Sequence, residues 1–316
     1  MAVSSGVLPQ VVKIDKRKHR KKRLKESKYL YMLFALPLIY FVIFKYGAMF
    51  WLGIAFVDYN AVKGIWGSQW AGLEYFREFI ADPYFWNIVK NTILINFWML
   101  IFFFPAPIIL ALLINEVKNR RFQKFTQSVT YLPYFLSTVV VCGFVVNILS
   151  ADGLINQFIK AAGASPIPFM TSPEWFRPIY IASELWQNAG WGSIIYLAAL
   201  AGVDTQLYES ASIDGASHWK KLWNISIPCI APVISVQFLL TVGKLLSVGY
   251  EKIILLYTGS TYATADVIST YVYRRGLIEA NYSYGAAVSI FQAIIALVLI
   301  VLANKAARKI GSTSLW

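Results

Sequence analysis

Six apolar runs, each long enough to cross a lipid bilayer, decide most of what this chain can become. They cover residues 29–52, 88–114, 125–149, 178–201, 231–257 and 284–303, and about 20 apolar residues in a helix span the hydrocarbon core. Backbone N–H and C=O groups at that depth find no water, so each run is expected to form a helix, which bonds them internally. The expected fold is an all-α membrane protein of six transmembrane helices, with both termini on one side. Composition agrees: 58% of the 316 residues are hydrophobic and 14% charged, whereas soluble domains carry about 25% charged residues.

Orientation follows from the cations. Ten of the 29 Lys and Arg fall between Lys13 and Lys28. With Lys118, Arg120, Arg121 and Lys124 after the second run, Lys220 and Lys221 after the fourth, and Lys305, Arg308 and Lys309 at the end, 19 of the 29 lie on one face. The positive-inside rule makes that face cytoplasmic. The expected organisation is a basic cytoplasmic tail over 1–28, a membrane domain over 29–303 and a cytoplasmic tail over 304–316. The basic tail abuts an apolar run, which points to anionic membrane lipid as its partner and not to nucleic acid. That run is too long for a signal peptide, and no small-residue cleavage site closes it.

The opposite face takes residues 58–87, 150–177 and 258–283, rich in Gly, Pro, Trp and Tyr. Their aromatics fit an interfacial belt, and together they offer a rim for an external delivery protein. Residues 265–277 read there as a surface helix with Arg274 and Arg275 in water. Cys142 and Cys229 have neither disulfide nor metal-ligand spacing and read as packing residues. No Gly-x4-Gly-Lys-Ser/Thr pattern occurs, so no cofactor is expected in this chain; ATP and Mg, if used, belong to other chains.

One polar interruption stands apart, residues 204–228. Asp204 reads as a helix N-cap, with Val203 and Tyr208 spaced for a hydrophobic staple and Leu207 standing where a capping box would need Glu or Gln. Gly215 is the bend. A second helix over 216–225 carries Trp219, Leu222 and Trp223 at helical spacing, and Pro228 opens the next apolar run. On spacing alone this is an amphipathic loop lying on the membrane surface.

The residues themselves carry a resemblance. Glu209, Ser210 and Ala211, then Gly215, Ile225 and Ile227-Pro228, resemble the EAA pattern of ABC importer permeases, E-A-A-x3-G-x9-I-x-L-P, with Ser for the second residue and Ile for Leu. The resemblance implies a cytoplasmic coupling element that sits in a cleft of an ATP-hydrolysing subunit, with Glu209, Ser210, Ala211, Asp214, Gly215 and Ala216 as coupling residues. FKYGAMFWLGIAF, SVTYLPYFLSTVVV, WQNAGWGSIIYLAALAGVD and GYEKIILLY followed by DVISTYVYRRGL are similar to carbohydrate-importer permeases of the maltose-importer type, in particular the subset serving oligo- and polysaccharides such as alginate. That implies a type I ABC importer permease in a bacterial cell (inner) membrane that performs no chemistry itself. Its implied partners are a second, non-identical permease subunit, two ATP-binding subunits, an extracytoplasmic solute-binding protein and a carbohydrate substrate.

Two polar stripes at membrane depth are candidates for the substrate pathway. Glu184, Gln187, Asn188 and Trp191 recur at i, i+3, i+4 and i+7 and share one helical face. Gln237, Thr241, Lys244 and Glu251 form a similar stripe on the fifth span. Polar groups at this depth are costly unless they face protein or water, and hydrogen-bonding side chains beside an indole suit a sugar ring. Lys244 could meet the carboxylate of a uronic acid. The same stripes could instead seal the contact between two permease subunits.

Two other classes of function compete. An ion-coupled secondary transporter could use Lys244 and Glu251, yet no internal repeat is visible and residues 204–228 would have no role. A membrane glycosyl-transfer enzyme would need clustered carboxylates or metal ligands, and the 16 Asp and Glu are scattered.

Overall fold

The computed structural model describes residues 27–243 and 249–309, and the chain divides into two compact units, Met1–Gly53 and Ile54–Trp316. In the first, α1 (Lys28–Tyr40), a π-helical turn (Phe41–Tyr46) and α2 (Gly47–Trp51) follow one another without a break, and none of their residues is buried. A helical rod that is apolar all round and covers nothing of itself needs lipid or another helix against it.

The second unit opens with a two-residue antiparallel ladder, β1 (Val57–Asp58) on β2 (Gln69–Trp70), closed by the short α3 (Gly64–Gly67). Then come α4 (Glu74–Ala81), α5 (Phe85–Phe103), α6 (Pro105–Asn115) and α7 (Arg120–Tyr131). The Asn119 side chain caps α7 by accepting from the N–H groups of Arg121 (2.9 Å) and Phe122 (3.2 Å).

The expected third span, 125–149, is broken. Residues Leu132–Phe135 form a 3-10 turn, and α8 (Thr138–Leu149) starts afresh under a Ser137 cap. Pro133 has no N–H for the Val129 carbonyl and its ring crowds that oxygen, which favours a break here. The helical run of membrane length is instead Thr138–Ala161, which takes in α9 (Leu154–Ala161).

Helix α10 (Pro173–Ala201) is the centre of this unit. Its 29 residues reach about 43 Å at 1.5 Å per residue, and it packs against α5, α6, α7, α8 and the later α13. Close approach depends on Gly190: a Cβ there would lie 1.9 Å from the carbonyl oxygen of Thr130 in α7.

Past α10 lie α11 (Thr205–Ile213), α12 (His218–Lys221), a π-helical turn (Leu222–Ser226) and α13 (Ile227–Gly243). The second short helix expected over 216–225 is therefore not separate, because α12, the π turn and α13 run on as one. The wide turn, in which the Ile227 N–H bonds the Leu222 carbonyl, lies just ahead of Pro228 and lets the helix continue past a residue that cannot donate. This shifts the fifth membrane-length run from the expected 231–257 to His218–Val242.

The remainder is α14 (Tyr250–Leu256), α15 (Tyr262–Ala265), α16 (Ile268–Val272), a π-helical turn (Tyr273–Ile278) and α17 (Tyr282–Lys309). Five helical runs are long and apolar enough to cross a membrane: Lys28–Phe56, Phe85–Asn115, Thr138–Ala161, His218–Val242 and Tyr282–Leu302. Helix α10 is long enough but is not among them, since its row of polar side chains lowers its hydropathy.

Residues 265–277 are not a surface helix. Ile268, Thr270 and Tyr271 are buried, and Ile268 and Tyr271 join a cluster with Phe79, Phe85, Ile88, Tyr284 and Val288. Two glycines permit this seat: a Cβ on Gly285 would stand 2.9 Å from the Cα of Gly276, so the backbones cross almost in contact.

Candidate functional site

Helix α11 forms as its sequence dictates. The Asp204 carboxylate accepts from the Gln206 N–H (2.9 Å), and Leu207 contributes nothing to the cap. At its C-terminus Gly215 takes φ +73°, the Gly215 N–H bonds the Ser212 carbonyl (3.1 Å) and the Ala216 N–H bonds the Ala211 carbonyl (2.8 Å). That pair of bonds is a Schellman motif, which needs a left-handed residue and so selects glycine. A Cβ at Gly215 would meet nothing within 4 Å. Within this chain the glycine therefore serves conformation and not close approach.

The turn is braced by Tyr208 and Ser226, whose hydroxyls lie 3.0 Å apart, and by Lys221 Nζ donating to Ser212 Oγ (2.6 Å). His218 Nδ1 stands 3.1 Å from Glu116 at the end of α6. Glu209, Ser210, Asp214 and Gly215 are exposed, while Ala211 and Ala216 are half-buried. Around them Ile213 (87% exposed), Trp219 (69%) and Trp223 (62%) present bare apolar surface. Carboxylates ringed by uncovered aromatic and aliphatic groups form a surface suited to a protein partner.

The polar stripe of α10 divides. Glu184 is fully committed: Oε1 lies 2.9 Å from Lys252 Nζ in α14, and Oε2 accepts from Asn188 Nδ2 (2.8 Å). Gln187 is buried and donates to the Leu136 carbonyl (3.2 Å), bridging the gap between α7 and α8. Glu184 and Gln187 thus tie α10 to other segments of the same chain, while Asn188 bonds only within α10.

Trp191 does something different. One face of its indole stacks on Tyr134 at 4.5 Å and 3°, with Phe135 edge-on at 5.6 Å. It lines a cleft of about 660 Å³ together with Phe104, Pro107, Tyr196, Gln237 and Thr241. The structure thus brings together one expected residue of the fourth span with two of the fifth. Thr241 Oγ1 is bonded back to the Gln237 carbonyl (2.8 Å). Lys244 lies outside the described residues. Glu251 is exposed, and it is its neighbour Lys252, 3% exposed, that pairs inside the bundle.

Lys252 escaped the sequence reading because Glu251 and Lys252 each stand four residues before a leucine; only the packing shows that Lys252, Ile253 and Leu256 are the buried residues of α14. A second network was also missed. Arg177 Nη2 donates to Asn91 Oδ1 (2.8 Å), whose Nδ2 donates to the carbonyls of Ala263 (3.1 Å) and Asp266 (3.0 Å), and the Ile268 N–H donates to Thr92 Oγ1 (3.0 Å). Arg274, expected in water, pairs with buried Asp266 at 2.5 Å and lies over the Tyr262 ring at 4.9 Å. At the small ladder the Tyr75 hydroxyl donates to Asp58 (2.9 Å); burial and then that carboxylate push it up to about 12, so it remains a donor.

Long apolar helices gathered about a cleft with polar side chains, with an exposed capped helix between two of them, define a membrane-embedded transport subunit. The chain belongs to the family of binding-protein-dependent transport system inner membrane components, whose model matches residues 104–311, from the start of α6 through α17. It is 42% identical over 307 residues to the polygalacturonan/rhamnogalacturonan transport system permease protein YteP of Bacillus subtilis (strain 168), covering 97% of this chain and 96% of that protein. It is also 42% identical to a chain of a bacterial ABC transporter involved in the import of the acidic polysaccharide alginate, with a TM-score of 0.85 and coverage of 92% of this chain and 99% of that one. A structure of the bacterial alginate transporter in complex with alginate pentasaccharide-bound periplasmic protein matches with a TM-score of 0.86, at 42% identity and 93% and 99% coverage.

Proposed function

We propose that this chain is one permease subunit of an ABC importer that brings an acidic oligo- or polysaccharide of the uronic-acid type into the cytoplasm. The observation that carries this reading is the pairing of a sugar-suited cleft with relatives, at 42% identity over nearly the whole chain, named for polygalacturonan and alginate. The flat indole of Trp191, the Gln237 amide and the Thr241 hydroxyl offer what a pyranose needs, an apolar face and hydrogen-bonding groups. Lys244 follows Thr241 in the same stripe and is proposed as a partner for a sugar carboxylate.

Residues 204–228 are proposed as the cytoplasmic coupling element, with Glu209, Ser210, Ala211, Asp214, Gly215 and Ala216 meeting an ATP-binding subunit. ATP and Mg sit on two such subunits, and closing them moves the helices between inward-open and outward-open states around the cleft. A second, different permease subunit completes the pathway, and an extracytoplasmic binding protein delivers the sugar. With α10 as the sixth crossing helix both termini are cytoplasmic, in keeping with the cation distribution.

The test is uptake into proteoliposomes holding the complete complex with its binding protein, comparing a galacturonate pentamer with a neutral glucose oligomer of equal length. ATP-dependent uptake of the acidic sugar is expected. Uptake driven by an ion gradient without the ATP-binding subunits, or preference for the neutral sugar, contradicts the proposal.

A further inference from the structure

A second cleft, of about 770 Å³, opens between the start of α5 and the α15–α17 segment, on the face proposed as extracytoplasmic. Its walls include Asp82, Tyr84, Asn87, Tyr262, Asp266, Tyr271, Arg274 and Arg275; of these, three tyrosines, one amide and two guanidiniums are the groups a sugar could use.

The two carboxylates in this wall are already spent. Asp82 Oδ1 accepts from the Tyr84 N–H (2.8 Å) and Oδ2 from the hydroxyls of Tyr271 and Tyr284. Asp266 is buried, holds Arg274 and accepts from Thr270 Oγ1 (2.7 Å). Tyr262 is occupied as well, stacked on Tyr257 at 4.8 Å and covered by Arg274.

What faces the opening free or only loosely held is a smaller set. Tyr84 is 66% exposed. The Asn87 amide makes no hydrogen bond among the described residues. Arg275 is held by Glu279 alone among carboxylates, at 2.7 Å, in an exposed i,i+4 pair, and such surface pairs contribute little and are readily exchanged. Its guanidinium also lies over the Tyr284 ring at 5.6 Å, a cation–π contact.

We propose that this cleft is an entry subsite for one uronic-acid unit of the substrate, occupied before the sugar reaches the Trp191 cleft. The pyranose ring lies on Tyr84, Asn87 bonds its hydroxyls, and its carboxylate displaces Glu279 from Arg275 to take the forked geometry that guanidinium prefers. The inference rests on the proposed acidic substrate, and it assigns a substrate contact to a site separated in sequence and place from the α10–α13 stripes.

Because Arg275 is contested between Glu279 and the sugar, two substitutions should act in opposite directions. In the complete reconstituted complex, with a galacturonate pentamer as probe, Arg275→Gln should raise KM for uptake about tenfold, the loss of one charge-assisted forked contact, at unchanged maximal rate. Glu279→Gln, which frees the guanidinium, should lower KM. Binding of the loaded binding protein to the complex in nanodiscs should be the same in both variants. If the two substitutions move KM the same way, or neither moves it, the subsite is wrong. If binding-protein affinity changes in step with KM, Arg275 is a protein contact and the subsite is equally wrong. Wild-type complex that fails to take up the pentamer at all overturns the proposed substrate instead, so the two failures are distinguishable.

Discussion

Removing one partner of the Glu184–Lys252 pair should be costly, and removing both should not. The ammonium is 3% exposed and the carboxylate 18%, so either charge left alone stays in a poorly solvated place. A buried pair broken on one side typically loses about 3–5 kcal/mol, whereas replacing both charges with apolar groups of similar volume is close to neutral. The surroundings rank the two single variants. In Lys252→Met, Glu184 keeps its 2.8 Å bond from Asn188, which places the loss near 3 kcal/mol. In Glu184→Leu, Lys252 is left with nothing, because its Nζ makes no hydrogen bond beyond the ion-pair contact among the described residues, and the loss should approach 5 kcal/mol. Lys252→Met with Glu184→Leu should recover to within about 1 kcal/mol of wild type. Unfolding of the purified complex by SDS titration in mixed micelles, run as a double-mutant cycle, measures all three. Additive losses, or single variants within about 1 kcal/mol of wild type, would refute the pair as the tie between α10 and α14.

Three further outcomes are expected. Gly190→Ala, which in an ordinary helix would stabilise, should cost about 3 kcal/mol or prevent assembly, since its Cβ would lie 1.9 Å from the Thr130 oxygen; Gly202→Ala, with 3.4 Å to its nearest neighbour, should fold normally in the same unfolding assay. Gly215→Ala should cost about 1 kcal/mol locally and lower the ATPase stimulation produced by loaded binding protein, while Gly215→Asn, better suited to positive φ, should lose less; equal effects of both would remove backbone conformation as the reason for the glycine. In cells treated with a membrane-impermeant thiol reagent, Val62→Cys (96% exposed) should be labelled and Ser27→Cys should not, and labelling of Ser27→Cys from outside would reverse the proposed orientation.

The sequence made the helices legible because apolar length and proline position act locally. The cap at Asp204 and the left-handed bend at Gly215 were legible for the same reason: caps and left-handed turns are decided within a few residues. Where the reading failed, partners distant in sequence decided. Pro133 marks a break, but only the Gln187 side chain reaching Leu136 shows how the break is bridged. Arg274 looked like a solvated cation because nothing local reveals that Asp266 is buried beneath it. Glu251 and Lys252 adjoin and each stands four residues before a leucine, so the buried one is set by the pairing of Lys252 with distant Glu184. The two clefts lie in the same category, each assembled from segments that meet only in three dimensions.

The central claim is that the sugar passes the Trp191 cleft under control of the ATP cycle. Substrate protection of a single cysteine at Thr241 tests it most directly, in the reconstituted complex carrying Cys142→Ala and Cys229→Ala so that no native thiol of this chain reacts, with labelling read on this chain alone. With binding protein, ATP and a galacturonate pentamer all present, the rate of alkylation at Thr241→Cys should fall, and omission of any one of the three should restore it. Alkylation that is unchanged by the full mixture, or slowed equally by the pentamer without ATP and binding protein, would contradict the account.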